Sequence, residues 1–235
     1  GGPGVEILHP GEPFCQQGCP AGNEAMIEES TKTRIFLIRH GETEWNRIGR
    51  FQGRSDTLLN EKGREQARSL ALRLKDETIT AIYTSPLARA VEMARTIGAF
   101  HPSVPIIEEA ALLEMALGEF EGLEGKAWAE KFPDFRKAWR ENPASVAMPG
   151  GEDLASVQAR GVALVKRLCA SHKTGTLLLS GHNFVNAAII CYAQKLPLDR
   201  FREVKQASAT LNILWCDGEK METEAVNDCG HLKTT

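Results

Sequence analysis

Apolar residues in this chain occur both as short unbroken runs and as stripes at helical spacing. The first run is Ile35-Phe36-Leu37-Ile38. Four consecutive apolar positions leave no polar face, which predicts a strand buried on both sides, as in a parallel sheet covered by helices. Ala81-Ile82-Tyr83-Thr84 and Thr176-Leu177-Leu178-Leu179-Ser180 repeat the pattern, and Val104-Pro105-Ile106-Ile107 continues it. The stripes between the runs predict amphipathic helices: Ala67, Leu70, Ala71 and Leu74 behind an Asn60 cap; Leu87, Val91, Ala94 and Ile97; and Leu154, Val157, Gly161, Leu164, Val165 and Leu168. Phe184 to Ala193 reads as a mostly apolar helix. The segment from Ala209 to Trp215 alternates as a strand, Cys216-Asp217-Gly218-Glu219 signals a turn, and Lys220 to Val226 returns as the second strand of a hairpin. The expected fold is α/β: a mostly parallel central sheet flanked by helices on both faces, with an antiparallel edge strand.

The residues that end these strands carry the chemistry. The first run leads into Arg39-His40-Gly41 and the last into Gly181-His182-Asn183, while Ala81 to Thr84 leads into Ser85-Pro86-Leu87-Ala88-Arg89. There Ser85 is the expected helix cap and Pro86 the first helical residue, which puts Arg89 in the first turn. Open α/β sheets bind ligands beyond the carboxyl ends of their strands. If the three strands are neighbours, Arg39, His40, Arg89 and His182 converge on a pocket of donors and fixed positive charge suited to a phosphate dianion. The loop from Trp45 to Thr57, with Arg47, Arg50 and Arg54 beside Gln52-Gly53, is expected to cover one side, and Asn46 can donate its amide to a phosphate oxygen. Phosphate-ester cleavage also needs a proton for the departing alkoxide. Glu114 is the candidate, since a carboxyl near phosphate charge keeps its proton by like-charge repulsion. Glu109, Glu119 and Glu121 are expected on solvated faces.

The remaining sequence bounds the setting. Residues 1–32 are rich in Gly, Pro and Glu without periodicity and read as an extension or linker, leaving 33–235 as one globular domain. Within the extension, Cys15 and Cys19, with His9 and the distant Cys229 and His231, suggest a metal site. The Cys-x3-Cys spacing has no matching second pair, so no metal is expected. Cys169, Cys191 and Cys216 lie in apolar stretches as small hydrophobes, and their free state fits a reducing compartment. A net charge of -3 argues against nucleic acid as a partner. No apolar run reaches membrane-spanning length and no signal peptide is evident, so a cytoplasmic protein is expected. Residues 118–151 form an insertion in which Trp128, Phe132, Phe135 and Trp139 keep a helical stripe across Pro133. That pattern predicts two short helices meeting at Phe132-Pro133 as a small helical cap packed on the core, with Lys126, Lys131 and Arg136 able to reach an anionic substrate.

These residues carry a resemblance. Leu37-Ile38-Arg39-His40-Gly41-Glu42-Thr43, Phe51-Gln52-Gly53, Leu59-Asn60-Glu61-Lys62-Gly63, Ser85-Pro86-Leu87-Ala88-Arg89-Ala90, Leu113-Glu114, Pro149-Gly150-Gly151-Glu152 and Gly181-His182 occur in the order of the histidine phosphatase superfamily and span roughly 33 to 227. The chain resembles its phosphoglycerate-mutase-like members, nearest the α-ribazole phosphatase and broad-specificity phosphatase branch. The resemblance implies a phosphoglycerate-mutase-like fold and hydrolysis of a small phosphomonoester through a phosphohistidine. His40 would be the nucleophile, Glu114 the acid, and Arg39, Arg89, Asn46, His182 and Asn183 the phosphate ligands, with Gln52 and Gly53 against the substrate. No metal or other cofactor is implied. The partner would be a small phosphorylated metabolite, with no nucleic acid or membrane involved, and the protein a monomer or homodimer. Two alternatives are a cofactor-dependent phosphoglycerate mutase and a non-catalytic phosphate-binding module. Against the mutase, the segment from Glu114 to Gly150 is short and lacks the paired arginines of mutases, and 51–55 lacks their tryptophan. Against the module, His40 and Glu114 are both present. Asn183 stands where phosphatases of the family usually carry glycine, which either alters the approach of the backbone amide to phosphate or adds a contact.

Overall fold

The run Ile35–Ile38 forms the middle of a sheet that helices cover on both faces. A computed structural model describes residues 32–232; the extension, with His9, Cys15 and Cys19, lies outside the described residues. Six strands, β1 (Thr33–Arg39), β2 (Ile79–Thr84), β3 (Ile106–Glu108), β4 (Thr176–Gly181), β5 (Leu211–Cys216) and β6 (Met221–Asp228), form one sheet in the order β3-β2-β4-β1-β5-β6. β1, β2, β3 and β4 run parallel, while β5 pairs antiparallel with β1 and β6 with β5. The antiparallel edge is therefore a two-stranded ribbon, and its first strand begins at Leu211 rather than Ala209.

Side-chain alternation sorts the core into two layers. Ile35, Leu37, Leu177 and Leu179 face one way, against α6 (Leu154–His172) and α7 (Asn183–Ala193), and Phe36, Ile38 and Leu178 face the other, against α2 (Glu61–Leu74) and α3 (Ala88–Gly98). Strands buried on both sides need apolar residues at every position, which accounts for the unbroken runs. The helices α2 and α6 match their stripes, and Asn60 and Asp153 cap them by accepting from the amides of Gly63 at 2.8 Å and Ser156 at 2.7 Å.

α3 departs from expectation. It begins at Ala88, not Pro86; Leu87, Ala94 and Ile97 of the expected stripe are buried, but Ala90 and Met93 take the buried face instead of the half-buried Val91. The reason is tertiary: the Ser85 hydroxyl is bound by a histidine of the site, and the Ala88 amide is capped from outside by Asp56 at 2.7 Å. A one-turn helix, α1 (Glu44–Arg47), follows β1.

The cap consists of α4 (Gly125–Lys131) and α5 (Pro133–Glu141), which meet at Phe132 with Pro133 opening the second helix. Its stripe packs on the core through aromatic contacts: Phe120 lies 4.8 Å from Phe135 and 4.9 Å from Phe132, and Trp139 lies 5.6 Å from Phe201 between ring centroids. Among the described residues no helix is long and apolar enough to cross a membrane.

Gly63 has a stronger reason to be glycine than tolerance near a helix start. A Cβ there would sit 2.1 Å from the Glu42 carbonyl oxygen, and one on Gly41 would sit 2.5 Å from the Gly63 carbonyl. The turn leaving β1 and the start of α2 therefore pass at backbone contact, which brings α2 against the strand end that bears His40. Gly63→Ala is expected to cost about 1–3 kcal/mol of stability through overpacking, read as a lower urea midpoint; an unchanged midpoint would remove the close-approach argument.

Candidate active site

Because β4 lies between β1 and β2, the three chemistry-bearing strand ends are adjacent. Arg39 is in register with Gly181, and the backbone amides of His40 and Ser85 donate to the carbonyls of Gly181 and Ser180 at 3.2 and 2.9 Å. The rings of His40 and His182 come within 5.2 Å.

His40 is buried, and its Nδ1 lies 2.7 Å from the Gly41 carbonyl oxygen. A carbonyl can only accept, so Nδ1 carries the proton and Nε2 the lone pair. Nε2 in turn accepts from Arg89 Nε at 3.3 Å. Burial, then the Arg89 and Arg39 charges, hold the imidazole well below its usual pKa of 6.5, so the ring is neutral.

Arg89, in the first turn of α3, is fully buried. Its two terminal nitrogens donate to the carbonyls of Ser55 and Gly53, each at 2.8 Å, so one guanidinium joins His40 to the loop over the pocket. Burial brings its pKa down to about 10, which leaves it cationic at neutral pH. Arg39 donates Nη1 to the Gln206 carbonyl. His182 places Nε2 2.8 Å from the Ser85 hydroxyl, and its buried Nδ1 has no partner among the described residues.

Glu114 is buried opposite. Its Oε1 accepts from the amides of Met115 at 2.9 Å and Phe184 at 3.0 Å, and at 3.3 Å from Val185 in the first turn of α7. Those amides and the two arginines favour the carboxylate, yet burial outweighs them and raises the pKa above 4.5. The sequence argument invoked phosphate repulsion; in the empty pocket desolvation already does this, and a bound dianion would add to it.

A cavity of about 180 Å³ is lined by Arg39, His40, Asn46, Arg50, Gln52, Gly53, Arg89, Glu114 and Asn183. Arg39, His40, Asn46, Gln52, Gly53, Arg89, Glu114 and Asn183 are thus all in its wall; His182 is not, although its ring lies 5.2 Å from that of His40. Asn46 uses its side-chain oxygen to accept from the Thr43 amide at 3.2 Å, which leaves its NH₂ to be offered to the cavity. Gln52 is similarly oriented by the hydroxyls of Thr43 at 2.8 Å and Thr57 at 2.6 Å. Lys126 and Lys131 are not in this wall, and Arg136 lines a neighbouring cleft.

Several positioning residues escaped the sequence reading. Glu121, expected on a solvated face, accepts from the Arg54 and Leu117 amides at 2.9 and 3.1 Å and from the Ser55 hydroxyl at 2.8 Å. It thereby shapes the loop that holds Arg89, and position 53, at φ +51°, accepts only glycine because a Cβ there would meet that carboxylate at 2.3 Å. Glu109 likewise pairs with Arg167 at 2.6 Å. Arg160 of α6 clamps the carbonyls of Ala111, Leu113 and Glu114 at 2.8, 2.7 and 3.2 Å and pairs with Glu152 at 3.1 Å. It fixes the backbone that presents Glu114. Asn212 bonds Gln206 and the Leu37 carbonyl at 2.8 Å, steadying the carbonyl that anchors Arg39. An asparagine inside Leu211-Asn212-Ile213-Leu214 was the available signal, because a buried amide needs partners.

The chain is similar to known proteins in sequence and fold. The profile described as histidine phosphatase superfamily (branch 1) matches residues 35–229. Phosphoserine phosphatase 1 of Hydrogenobacter thermophilus is 31% identical over 199 residues, covering 85% of this chain and 94% of its own. Two solved structures, each 30% identical, superpose: Bacillus stearothermophilus YhfR at a TM-score of 0.81 over 86% of this chain and 100% of its own, and a mycobacterial glucosyl-3-phosphoglycerate phosphatase at 0.76 over 83% and 99%. On the match to 35–229 and these relatives, the chain belongs to the histidine phosphatase superfamily.

Proposed function

We propose that the protein is a phosphoric monoester hydrolase that transfers the phosphoryl group of a small phosphomonoester to His40 and then to water. The catalytic domain is 33–235 with its cap at 118–151, in a cytoplasmic setting that suits the buried free thiols of Cys169, Cys191 and Cys216. The observation that carries the reading is the His40 ring: Nδ1–H is committed to the Gly41 carbonyl, and Nε2 accepts from the buried Arg89 in a cavity that the half-buried Arg39 also walls.

In the first step the Nε2 lone pair forms a bond to phosphorus while the bond to the ester oxygen breaks, and the Glu114 carboxyl passes its proton to the departing alkoxide. In the second, the Glu114 carboxylate takes a proton from water as its oxygen attacks phosphorus, and the P–N bond breaks to release phosphate and neutral His40. Arg39, Arg89 and the amides of Asn46 and Asn183 hold the phosphoryl oxygens, where charge persists through a loose transition state. If the Ser85 hydroxyl donates to His182 Nε2, the unpartnered Nδ1 carries a proton that can serve the same oxygens. The fixed guanidinium charges do the neutralising that Mg²⁺ does in other phosphoryl-transfer sites.

The phosphatase names of the relatives support hydrolysis. Turnover of p-nitrophenyl phosphate in excess chelator, abolished in His40→Ala, is the expected result. Bisphosphoglycerate-dependent isomerisation of 3-phosphoglycerate would indicate a mutase instead, and silence toward both and toward a metabolite panel would indicate a binding module.

Glu114→Gln tests the proton donor through the leaving group. It is expected to lower kcat/KM, which reports the first phosphoryl transfer, about 10²–10⁴-fold for an alkyl phosphate and much less for p-nitrophenyl phosphate, whose phenolate leaves without a proton. Equal losses on both substrates would remove Glu114 from that role.

The pH profile follows from the two shifts. His40 is lowered from 6.5, so the nucleophile stays neutral in mild acid and kcat/KM shows no enzyme protonation at 6.5. Glu114 is raised from 4.5, so its proton persists above that value and alkyl phosphatase activity is lost as pH rises through the raised pKa. After correction for substrate ionisation at about pH 6, an acid limb at the ordinary histidine value would contradict the assignment.

A further inference from the structure

A second cleft, of about 270 Å³, opens beside the catalytic cavity and shares Phe51, Leu117 and Phe184 with it. The two are therefore continuous along one apolar wall. The smaller cavity accommodates a phosphoryl group; whatever alcohol that group leaves behind must extend along the shared wall, and the larger cleft is where the wall leads.

The lining of this cleft is chemically lopsided. Trp128 and Trp139 of the cap give it an aromatic surface, and its polar members are three arginines, Arg136, Arg140 and Arg202, with no acidic side chain in the wall. Arg136 and Arg140 stand one turn apart on α5, on the side that also carries Trp139. Arg202 lies over the Trp139 ring with its carbon 5.3 Å from the centroid and donates to the Trp139 carbonyl at 2.7 Å, which holds its charge at the rim. Among the described residues Arg136 has no acidic partner, and Arg140 has only Glu141 at 4.0 Å. Guanidinium groups gathered at the end of an aromatic trough, without carboxylates to neutralise them, suit an anion presented on an apolar body. A compact zwitterionic alcohol would leave the aromatic surface unfilled and would bring an ammonium toward like charge.

We infer that the leaving group of the natural substrate is an apolar body of ring size that bears a second anionic group, a carboxylate or phosphate, bound by the Arg136, Arg140 and Arg202 rim. The inference rests on the phosphatase reading and specifies its substrate class.

Four aryl phosphates separate the contributions: p-nitrophenyl, phenyl, 2-naphthyl and 6-carboxy-2-naphthyl phosphate. Expected values of kcat/KM rise about tenfold from phenyl to 2-naphthyl and about tenfold again with the carboxylate, each step being roughly 1.4 kcal/mol. In the Arg136→Gln/Arg140→Gln double variant, whose altered side chains are both exposed, the carboxylate advantage is expected to fall to about one while the naphthyl advantage persists. If p-nitrophenyl phosphate is hydrolysed but the carboxylate confers no advantage, the ring confers none, or the double variant keeps the wild-type ratio, the substrate class is wrong and the phosphatase reading stands. Failure to hydrolyse any of the four overturns both.

Discussion

The site depends on a single contact between adjacent residues, the hydrogen bond from His40 Nδ1 to the Gly41 carbonyl. It fixes which ring nitrogen keeps the proton and therefore which can attack. Everything around it maintains that condition. Burial and the nearby guanidinium charges keep the ring from protonating, and Arg89 occupies the side from which a phosphoryl group would approach. The same desolvation that keeps the histidine uncharged raises the pKa of the opposing Glu114. One positively charged pocket thus holds a neutral imidazole and a carboxyl of raised pKa together.

The arginines show how such a pocket is held without collapsing on itself. Arg89 spends its terminal nitrogens on two loop carbonyls, and Arg39 reaches a third carbonyl at Gln206. Neither is neutralised by a direct carboxylate partner, so both remain available to a dianion. The acidic residues nearby serve the backbone instead: Glu121 shapes the loop under Arg89, and Glu152 with Arg160 braces the segment that carries Glu114.

The sequence revealed the strands, most helices and the side chains that meet at the pocket because their signals are short-range. An unbroken apolar run means two covered faces, and a histidine after such a run means a strand end. Even the kinked cap followed from a stripe that crosses Pro133. What it hid was long-range. The helix start at Ala88 depends on Asp56 and His182, each remote in sequence from Ser85. Glu121 looked solvated because its partners at Arg54 and Ser55 are brought to it only by folding. The need for glycine at 63 arises from the passing backbone of Glu42, which no local rule contains.

The placement of β4 has a consequence for how the molecule comes into being. β1 is flanked by β4 and β5, neither of which exists until synthesis has passed residue 175, and β2 has only the short β3 beside it until then. A nascent chain reaching only residue 170 would therefore carry His40 at the end of a strand with both edges bare. The cationic cradle can form only once β4 and β5 have been made.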